Sequence, residues 1–278
     1  MLKQISSLVI SNQEIAHQIY LLRVEAPDIA VSSHPGQFVM IRCGSKLTLN
    51  RPFSIHQVNS NKVISFLINK LGFSGIPDKR HTNNEKIAVN HGAGTHWLSQ
   101  CNQGDTIELL GPLGRGFQVN PDSDKLLLVA GGIGIAPLVY LAQQMSNQKK
   151  SITLLLGART SSALYPQQFL PPQLKTIIAT EDGSTGNKGM VTDMLDKLIN
   201  EYDQVFACGP FQMYRAIFNL MHRNSINRDI QISLETRMGC GFGICYGCSI
   251  KTERGIKTVC KDGPVFNIRE IIWETVKL

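Results

Sequence analysis

Residues 126–137 read LLLVAGGIGIAP, a charge-free apolar run that passes directly into glycines and ends at a proline. The run Leu126–Ala130 has the length and composition of a strand buried on both faces. Glycines at 131, 132 and 134 would let phosphates approach the backbone at the start of a helix. The stretch therefore predicts a strand, a turn and a helix that bind a dinucleotide, with a plain tight connection as the alternative.

Further buried strands follow on the C-terminal side, with helical stretches between them: Ile152–Leu156, Thr176–Ala179 and Gln204–Ala207. Strands that alternate with helices build a parallel sheet. The last strand leads into Cys208-Gly209-Pro210, and the carboxyl ends of such strands share one edge, where ligands bind in open α/β folds. We therefore predict that Cys208 forms a wall of a nicotinamide pocket, although a cysteine there is more often a small buried residue.

Four of the seven cysteines follow the pattern C-x4-C-x2-C-x11-C, at Cys240, Cys245, Cys248 and Cys260. This is the spacing of a plant-type [2Fe-2S] site. The glycines between them allow turns that aim backbone N–H groups at sulfur. Structural zinc, the alternative, usually takes two separated short-spaced pairs, and a disulfide reading is disfavoured by the odd count and the lack of a secretory leader. We predict that these four thiolates hold a [2Fe-2S] cluster.

Before residue 118 the pattern changes to short apolar runs between turn residues: Leu8–Ile10, Ile19–Val24, Gln37–Arg42, Phe53–Val58, Val63–Ile68 and Thr106–Leu110. Such spacing predicts an antiparallel β-barrel or sandwich. The polar residues between Gly72 and Gly92 are expected to form an inserted surface loop.

One short motif of this region, RPFSI at residues 51–55, offers a guanidinium and a hydroxyl on one strand, suited to a phosphate and a ring nitrogen, although so short a motif also occurs by chance. A hydride donor and a one-electron cluster in one chain need a cofactor that handles both, and flavin is the common one.

Length and charge narrow the possibilities further. The 278 residues suffice for two domains or a little more. We divide them into a flavin-binding β-barrel domain at 1–120, a dinucleotide-binding α/β domain at 121–228 and a small [2Fe-2S] subdomain at 229–278. The net charge of +7 is thinly spread, so nucleic-acid binding is not expected. Glycines and a proline interrupt the apolar stretch 126–142, so no membrane span is expected, and a reducing, cytoplasmic setting is the default.

The chain resembles the ferredoxin-reductase superfamily in the order of its features, which are the barrel, RPFSI, GGIGIAP, CGP and the C-terminal cysteines. More narrowly, the chain resembles the electron-transfer subunits of class 1B dihydroorotate dehydrogenase. The motifs that carry this narrower resemblance are GPLG at 111–114 with Gly116-Phe117, TEDGS at 180–184 leading to Lys188-Gly189, Leu234-Glu235, and CKDGPVF at 260–266. Together they cover nearly the whole chain.

The resemblance implies a subunit with FAD and one [2Fe-2S] cluster that exchanges electrons between NAD(H) and an FMN-containing catalytic subunit, in a heterotetramer that serves pyrimidine (UMP) biosynthesis. It further implies which residues bind FAD: Arg51, Pro52, Phe53, Ser54, Leu67, Ile68, Asn69, Gly94 and Thr95. Arg51 would bind a phosphate, and Ser54 would face the flavin N5. The nucleotide would lie on Gly132, Gly134 and Cys208-Gly209-Pro210, so Ser54 and Cys208 are the predicted catalytic positions. An insertion separates Asn69 from Gly94, unlike the short turn usual in the family.

Two other functions remain open. One is an NAD(P)H-dependent reductase subunit of a ferredoxin-, hydrogenase- or glutamate-synthase-linked complex, and Arg159 could meet the 2′-phosphate of NADP. The other is a non-enzymatic redox sensor. No histidine lies in a motif that requires acid–base chemistry, and His56 and His96 are expected to be surface or structural residues.

Overall fold

Two seven-stranded sheets and a small cysteine-rich segment make up the chain, in a computed structural model that describes residues 2–45, 47–60, 62–70, 74–77 and 88–276. The elements of the N-terminal part are β1 (Lys3–Ala16), β2 (Ile19–Glu25), α1 (Pro27–Ala30), β3 (Phe38–Ile41), β4 (Arg51–Ser54), β5 (Gln57–Val58), β6 (Val63–Asn69), β7 (Ser74–Pro77), β8 (Ala88–His91), α2 (Ala93–Ser99) and β9 (Thr106–Leu113).

The first sheet is antiparallel, in the order β4-β3-β9-β1-β2-β6-β5. Its long strand β1 serves two neighbours, since Lys3–Leu8 pair with β9 and the residues from Val9 onward pair with β2. Irregularities in the pairing of β1 with β2 increase the local bend, and the sheet curls around one apolar core. The predicted antiparallel β-barrel is thus confirmed, in the form of a half-barrel.

The predicted strand Phe53–Val58 is two strands in the structure. Strand β4 pairs with β3 at one edge of the sheet, and β5 pairs with β6 at the other. Ile55 and His56 carry the chain across this gap, and both are fully buried. The backbone N–H of Ile55 donates to Gln37 O on one side, and that of His56 donates to Ser65 O on the other. The single strand predicted over residues 53–58 therefore contains a corner of the chain.

The inserted segment contains a hairpin, because β7 and β8 pair from Ser74↔His91 to Pro77↔Ala88. The prediction of a surface loop between Gly72 and Gly92 falls in part on residues 71–73 and 78–87, which lie outside the described residues. The described ends of the insertion are strands rather than irregular loop.

The central part forms a parallel sheet flanked by helices. Its elements are β10 (Lys125–Gly131), a 3-10 turn at Gly132–Gly134, α3 (Ile135–Ser146), β11 (Ser151–Ala158), 3-10 turns at Ser161–Ala163 and Gln167–Phe169, β12 (Lys175–Thr180), β13 (Asn187–Lys188), α4 (Val191–Leu198), a 3-10 turn at Ile199–Glu201, β14 (Gln204–Cys208), α5 (Phe211–Arg223) and β15 (Asp229–Ser233).

Side chains of β10 alternate between two cores, which explains its uninterrupted apolar sequence. Leu126 and Leu128 pack with α3 on one face, whereas Leu127 and Val129 pack with α4 and α5 on the other. The strand order is β13-β12-β11-β10-β14-β15, followed at the edge by a C-terminal strand at Val265–Asn267, so the order reverses between β10 and β14. Open α/β sheets bind ligands at such a switch point.

The C-terminal part is built onto this sheet. It contains β16 (Ser249–Thr252), β17 (Gly255–Thr258), α6 (Val259–Asp262), β18 (Val265–Asn267) and 3-10 turns at Ile268–Glu270 and Trp273–Thr275. Strand β18 pairs antiparallel with β15, so the cysteine segment shares the sheet of the nucleotide domain. The amphipathic residues 268–276 contain the two turns, and Trp273 packs against rings of α5. Among the described residues, no helix is both long and apolar enough to cross a membrane.

Candidate functional site

A cavity of 380 Å³ separates the half-barrel from the parallel sheet. The barrel side of its wall contains predicted flavin residues from three elements: Pro52, Phe53 and Ser54 of β4, Leu67 and Asn69 of β6, and Thr95 of α2. The opposite side includes Ile133 and Ala136 from the glycine turn and α3. A volume of this size matches that of small-molecule sites in proteins. The structure therefore brings most of the predicted flavin residues together opposite the nucleotide turn.

Ile68 lies on the other face of β6. Its side chain is fully buried in the barrel core, because successive side chains of a strand point to opposite faces. Leu67 and Asn69 therefore share the cavity face. The side chain of Ile68 points away from the cavity, so it does not make the predicted flavin contact.

Arg51 and Gly94 lie together beyond the residues that line the cavity. The guanidinium Nη1 of Arg51 donates to the carbonyl of Leu49 at 2.8 Å. A Cβ on Gly94 would come within 3.0 Å of the Arg51 Cγ, so the absence of a side chain at 94 leaves room for the arginine stem. This arrangement keeps a cation beside the start of α2, in a position suited to a phosphate.

The far wall of the cavity contains residues that the sequence did not assign to the flavin: Ser233, Leu234, Glu235, Thr236 and Met238. The hydroxyl Oγ1 of Thr236 is buried and has no hydrogen-bond partner among the described residues. An unsatisfied buried hydroxyl costs about 1–3 kcal/mol, so a bound molecule with polar ring atoms fits this wall. Burial among its neighbours raises the pKa of the Glu235 carboxyl, although the residue keeps contact with solvent. The polar residues directly after β15 are the sequence feature that could have indicated this part of the cavity wall.

A second cavity, of 340 Å³, lies at the carboxyl edge of the parallel sheet. The glycine turn and the Cys208-Gly209-Pro210 turn meet there, as predicted, because Ala130 of β10 pairs with Cys208 of β14. Gly132 and Pro210 line this cavity. Gly132 has a φ of +55° and open space where a side chain would project, so its backbone is accessible to a ligand.

Gly134 has a different task from Gly132. A Cβ on Gly134 would collide with the carbonyl group of Cys208, so this glycine allows the two turns to pack against each other. The motif thus combines one glycine that faces the cavity with one that fixes the crevice.

Cys208 lies beneath the turn and not in the cavity wall, unlike the sequence prediction. Its thiol is 1% exposed, and Sγ lies 3.7 Å from the carbonyl O of Ser233. Burial raises the pKa of the Cys208 thiol, which stays protonated. Tyr214 was missed: its hydroxyl accepts the N–H of Gly209 at 2.9 Å and donates to Ser233 O at 2.6 Å. These bonds tie the turn to β15.

Two oppositely charged residues stand in the wall of the second cavity. Arg159 follows β11 and Glu181 follows β12, and both line the cavity. A carboxylate at this position can accept hydrogen bonds from ribose hydroxyls, as acids do in dinucleotide-binding sheets. The sequence singled out Arg159 but not Glu181, because Glu181 belongs to a different strand from the glycine turn.

The four cysteines of the C-terminal segment form two pairs. The Sγ atoms of Cys248 and Cys260 are 3.2 Å apart, and the thiols of Cys240 and Cys245 interact through a hydrogen bond. Backbone N–H groups point at sulfur, as predicted: Ile244 donates to Cys240 Sγ and Cys260 donates to Cys248 Sγ, each at 3.4 Å. Gly241 and Gly243 have φ values of +86° and +89°, which only glycine adopts without strain.

The electrostatics of these thiols suit a metal cluster. Burial raises the pKa of Cys240, but N–H groups of Cys245, Phe242 and Ile244 outweigh it and lower the pKa to about 6. Burial, with the neighbouring Cys248, raises the pKa of Cys260 to about 12. Holding all four as thiolates therefore needs a bound cation. A two-iron cluster takes two thiolates on each iron, and the two cysteine pairs supply that number of ligands.

The cavity and the cysteine loop are adjacent in the chain and in space. The segment Ser233–Met238 lines the first cavity, and Cys240 follows within two residues. A Cβ on Gly241 would lie 2.5 Å from the Cγ of Met40, so the loop packs closely on barrel strand β3. The arrangement can hold a flavin, a nucleotide and a metal cluster around one junction, which defines a flavin- and iron–sulfur-dependent oxidoreductase of the ferredoxin-reductase class.

Comparisons with known proteins agree with this class and narrow it. Residues 7–117 match the oxidoreductase FAD-binding domain, 128–218 match the oxidoreductase NAD-binding domain, and 235–272 match the iron-sulfur cluster binding domain of dihydroorotate dehydrogenase B. The dihydroorotate dehydrogenase B (NAD(+)), electron transfer subunit, of Desulforamulus reducens is 35% identical over 283 residues, which cover 99% of this chain and 100% of that protein. The same subunit of Caldanaerobacter subterraneus subsp. tengcongensis is 36% identical, with 95% and 97% covered.

The chain therefore belongs to the family of electron transfer subunits of NAD-dependent dihydroorotate dehydrogenase B. The prediction that the chain binds FAD, NAD(H) and an iron–sulfur cluster is confirmed. Among solved structures, the NADH-dependent reduced ferredoxin-NADP oxidoreductase matches with a TM-score of 0.80 and 30% identity, covering 96% of this chain and 90% of that one. The ferredoxin reductase of carbazole 1,9a-dioxygenase shares the fold, with a TM-score of 0.68, 19% identity and coverage of 83% and 69%.

Proposed function

We propose that this chain moves electrons between an FMN-containing dihydroorotate dehydrogenase subunit and NAD, in a cytoplasmic heterotetramer with two copies of each subunit. The observation that carries the proposal is the segment Ser233–Met238, because one short stretch lines the first cavity and leads into Cys240. Electron exchange needs the two centres to be close, and this stretch joins them. The curated relatives named above support the choice of partner.

Each part of the chain has a defined task in this proposal. Residues 1–120 bind FAD, 121–228 bind NAD(H), and 229–278 hold the cluster, with β15 and β18 anchoring the last part to the nucleotide sheet. When bound, FAD supplies the exchange between hydride and single-electron chemistry. Ser54 offers a hydroxyl to the flavin ring, and Arg51 beside Gly94 offers a cation to its phosphates. Gly132, Gly134 and Cys208-Gly209-Pro210 shape the nucleotide crevice.

Cluster binding is tested with one cysteine variant and a matched control. Cys245→Ser removes an exposed thiol of the loop, and Cys101→Ser changes a buried thiol of the barrel. After anaerobic purification we expect Cys245→Ser to lose iron and cluster absorbance while it keeps FAD, and Cys101→Ser to keep all three. A wild-type protein that contains zinc in place of iron, or a Cys245→Ser protein with an unchanged visible spectrum, contradicts the proposal.

The partner is expected to dock on the cysteine loop. Three large side chains of this loop are exposed: Phe242 (40%), Ile244 (71%) and Tyr246 (67%). Exposed large apolar side chains that are grouped on one short loop commonly mark an interaction surface. We expect Ile244→Asp to abolish co-purification of the FMN-containing subunit without loss of FAD or iron. Val31→Asp, at a barrel residue that is 73% exposed, serves as the control and should keep the complex. Retention of the complex by Ile244→Asp contradicts docking at this loop.

A further inference from the structure

His56 lies at the corner between β4 and β5 and is fully buried. Its Nδ1 lies 3.0 Å from the carbonyl O of Ala136, and its Nε2 lies 3.0 Å from the hydroxyl of Tyr165. A carbonyl oxygen can only accept, so Nδ1–H donates to Ala136, and the hydroxyl of Tyr165 must then donate to Nε2. The bonding partners thus fix one tautomer of the imidazole.

These two partners belong to the nucleotide domain, and each is linked to a cavity. Ala136 lines the first cavity and follows the glycine turn at the start of α3. Arg159 lines the second cavity, and Tyr165 lies six residues later in the connection between β11 and β12. His56 itself comes two residues after Ser54. One barrel side chain therefore connects the strand proposed to hold the flavin with the start of α3 and, through Tyr165, with the connection that leaves β11.

Burial makes this connection geometrically strict. A buried ring nitrogen without its partner would cost about 1–3 kcal/mol, so neither hydrogen bond can be released cheaply. Burial also lowers the pKa of His56 to about 4, so the imidazole is neutral at physiological pH. Its edge-to-face contact with Tyr165, at a centroid distance of 5.5 Å, fixes the ring plane. The residue acts as a rigid spacer and not as an acid or base.

We propose that His56, held by Tyr165, is a positioning residue for hydride transfer: it sets the glycine turn and the start of α3 at the distance from the β4 strand that the reacting rings require. The inference rests on the proposed function, because it assumes a flavin beside Ser54 and a nicotinamide at the crevice. A shift of 1 Å in such an arrangement can cost ~100-fold in rate.

Other polar contacts between α3 and the barrel provide a control. Tyr140 donates to Ser33 O at 3.1 Å, and Gln143 donates to Val58 O at 3.2 Å. With Ala136 these residues follow the i, i+4, i+7 spacing of one helix face. Tyr140 and Gln143 lie one and two turns farther along α3 and do not line the first cavity. Tyr140→Phe therefore removes a buried hydroxyl from the same interface without touching the element beside the flavin cavity.

The test is anaerobic rapid mixing of the FAD-loaded proteins with NADH, followed through flavin absorbance over a range of NADH concentrations. We expect His56→Ala to lower the limiting rate of flavin reduction about 10-fold or more, with the half-saturating NADH concentration changed less than about 3-fold. His56→Asn, whose amide can still donate to Ala136, should recover part of the rate. Tyr165→Phe should fall between wild type and His56→Ala, and Tyr140→Phe should keep the wild-type rate.

A second readout needs no cofactor. In the FAD-free protein, the losses of melting temperature from His56→Ala and Tyr165→Phe should be less than additive in the double variant, because both remove the same hydrogen bond. Additive losses contradict the proposal that Tyr165 holds His56 in place. If His56→Ala fails to retain FAD, Tyr165→Phe decides the kinetic question, and an unchanged limiting rate in that variant overturns the proposal.

The outcomes separate this inference from the function on which it rests. A wild-type flavin that NADH does not reduce contradicts both. A wild-type flavin that NADH reduces, together with an unchanged limiting rate in FAD-loaded His56→Ala, contradicts the positioning role alone. An equal loss of rate in Tyr140→Phe also contradicts it, because the effect would then come from the domain interface as a whole.

Discussion

Burial of His56 makes the stability of the protein depend on pH in a defined window. Burial lowers its pKa from 6.5 to about 4 in the folded protein. Between these values the unfolded chain binds more protons than the folded one, so this contribution is complete above pH 6.5 and is lost as the pH falls towards 4. The shift corresponds to roughly 3 kcal/mol. We expect urea unfolding to show a steeper loss of stability from pH 7 to 5 in wild type than in His56→Asn.

The comparison of the two proteins isolates this one residue, because the other histidines and all carboxyl groups are common to both. Parallel pH profiles for wild type and His56→Asn would contradict burial of a neutral imidazole at this position.

Single residues also show where sequence reasoning ends. Cys240, Cys245, Cys248 and Cys260 were recognisable because cluster ligands need a fixed spacing within one loop, which a sequence displays directly. His56 was expected to be a surface or structural residue, but its bridging role was not recognisable, because its partners are 80 and 109 residues away and meet it only through the fold. Cys208 was correctly assigned to a strand end, but its side chain points beneath the turn towards the carbonyl O of Ser233.

At the scale of elements, the glycine turn after β10 predicts two contrasting variants. Gly134→Ala places a methyl group against the carbonyl of Cys208, and overpacking of this kind costs about 3 kcal/mol. In Gly132→Ala the added methyl group has no atom within 4 Å, so the only cost is the backbone strain of a φ of +55°, about 1 kcal/mol of stability. Urea unfolding should therefore rank Gly134→Ala well below Gly132→Ala.

The same pair separates packing from binding. Gly132 faces the second cavity, so its methyl group should raise the half-saturating NADH concentration even though the protein stays folded. Equal stability of the two variants would contradict the packing role of Gly134, and unchanged NADH binding by Gly132→Ala would contradict the placement of the nucleotide.

Elements were predictable to the extent that local pattern decides them. Strands β10, β11, β12 and β14 were found because each contains a short, mainly apolar run of the kind that a parallel sheet requires, although β12 is only partly buried. Strand β18 was missed because only three residues pair, and its apolar character is shared with the turns that follow. The break between β4 and β5 was missed because Ile55 continues the apolar sequence while the chain crosses from one sheet edge to the other.

At the scale of the whole molecule, one apolar core joins all three parts of the chain. Phe38 and Met40 of the barrel, Leu127 of the parallel sheet and Trp273 of the C-terminal segment belong to the same buried cluster. Amide side chains add to this continuity, because Gln231 accepts the N–H of Gln118 at 2.9 Å and donates back to its carbonyl at 2.6 Å. The order of the three parts was predictable from the spacing of apolar residues and cysteines in the sequence. Their shared core was not predictable, because contacts between the parts produce no repeating pattern in the sequence.

A shared core predicts that the three parts unfold together, and the two tryptophans allow a direct test. Trp97 lies in α2 of the barrel, and Trp273 packs on α5 at a centroid distance of 5.6 Å from Phe211. In Trp273→Phe the remaining fluorophore reports on the barrel, and in Trp97→Phe it reports on the C-terminal segment. Within each variant, thermal unfolding followed by fluorescence should coincide with unfolding followed by circular dichroism, because neither region can open without exposing the common core. Two separated transitions in either variant would show that the barrel or the cysteine segment is an independent unit, and the contacts of Phe38 and Met40 with the sheet would then contribute little to stability.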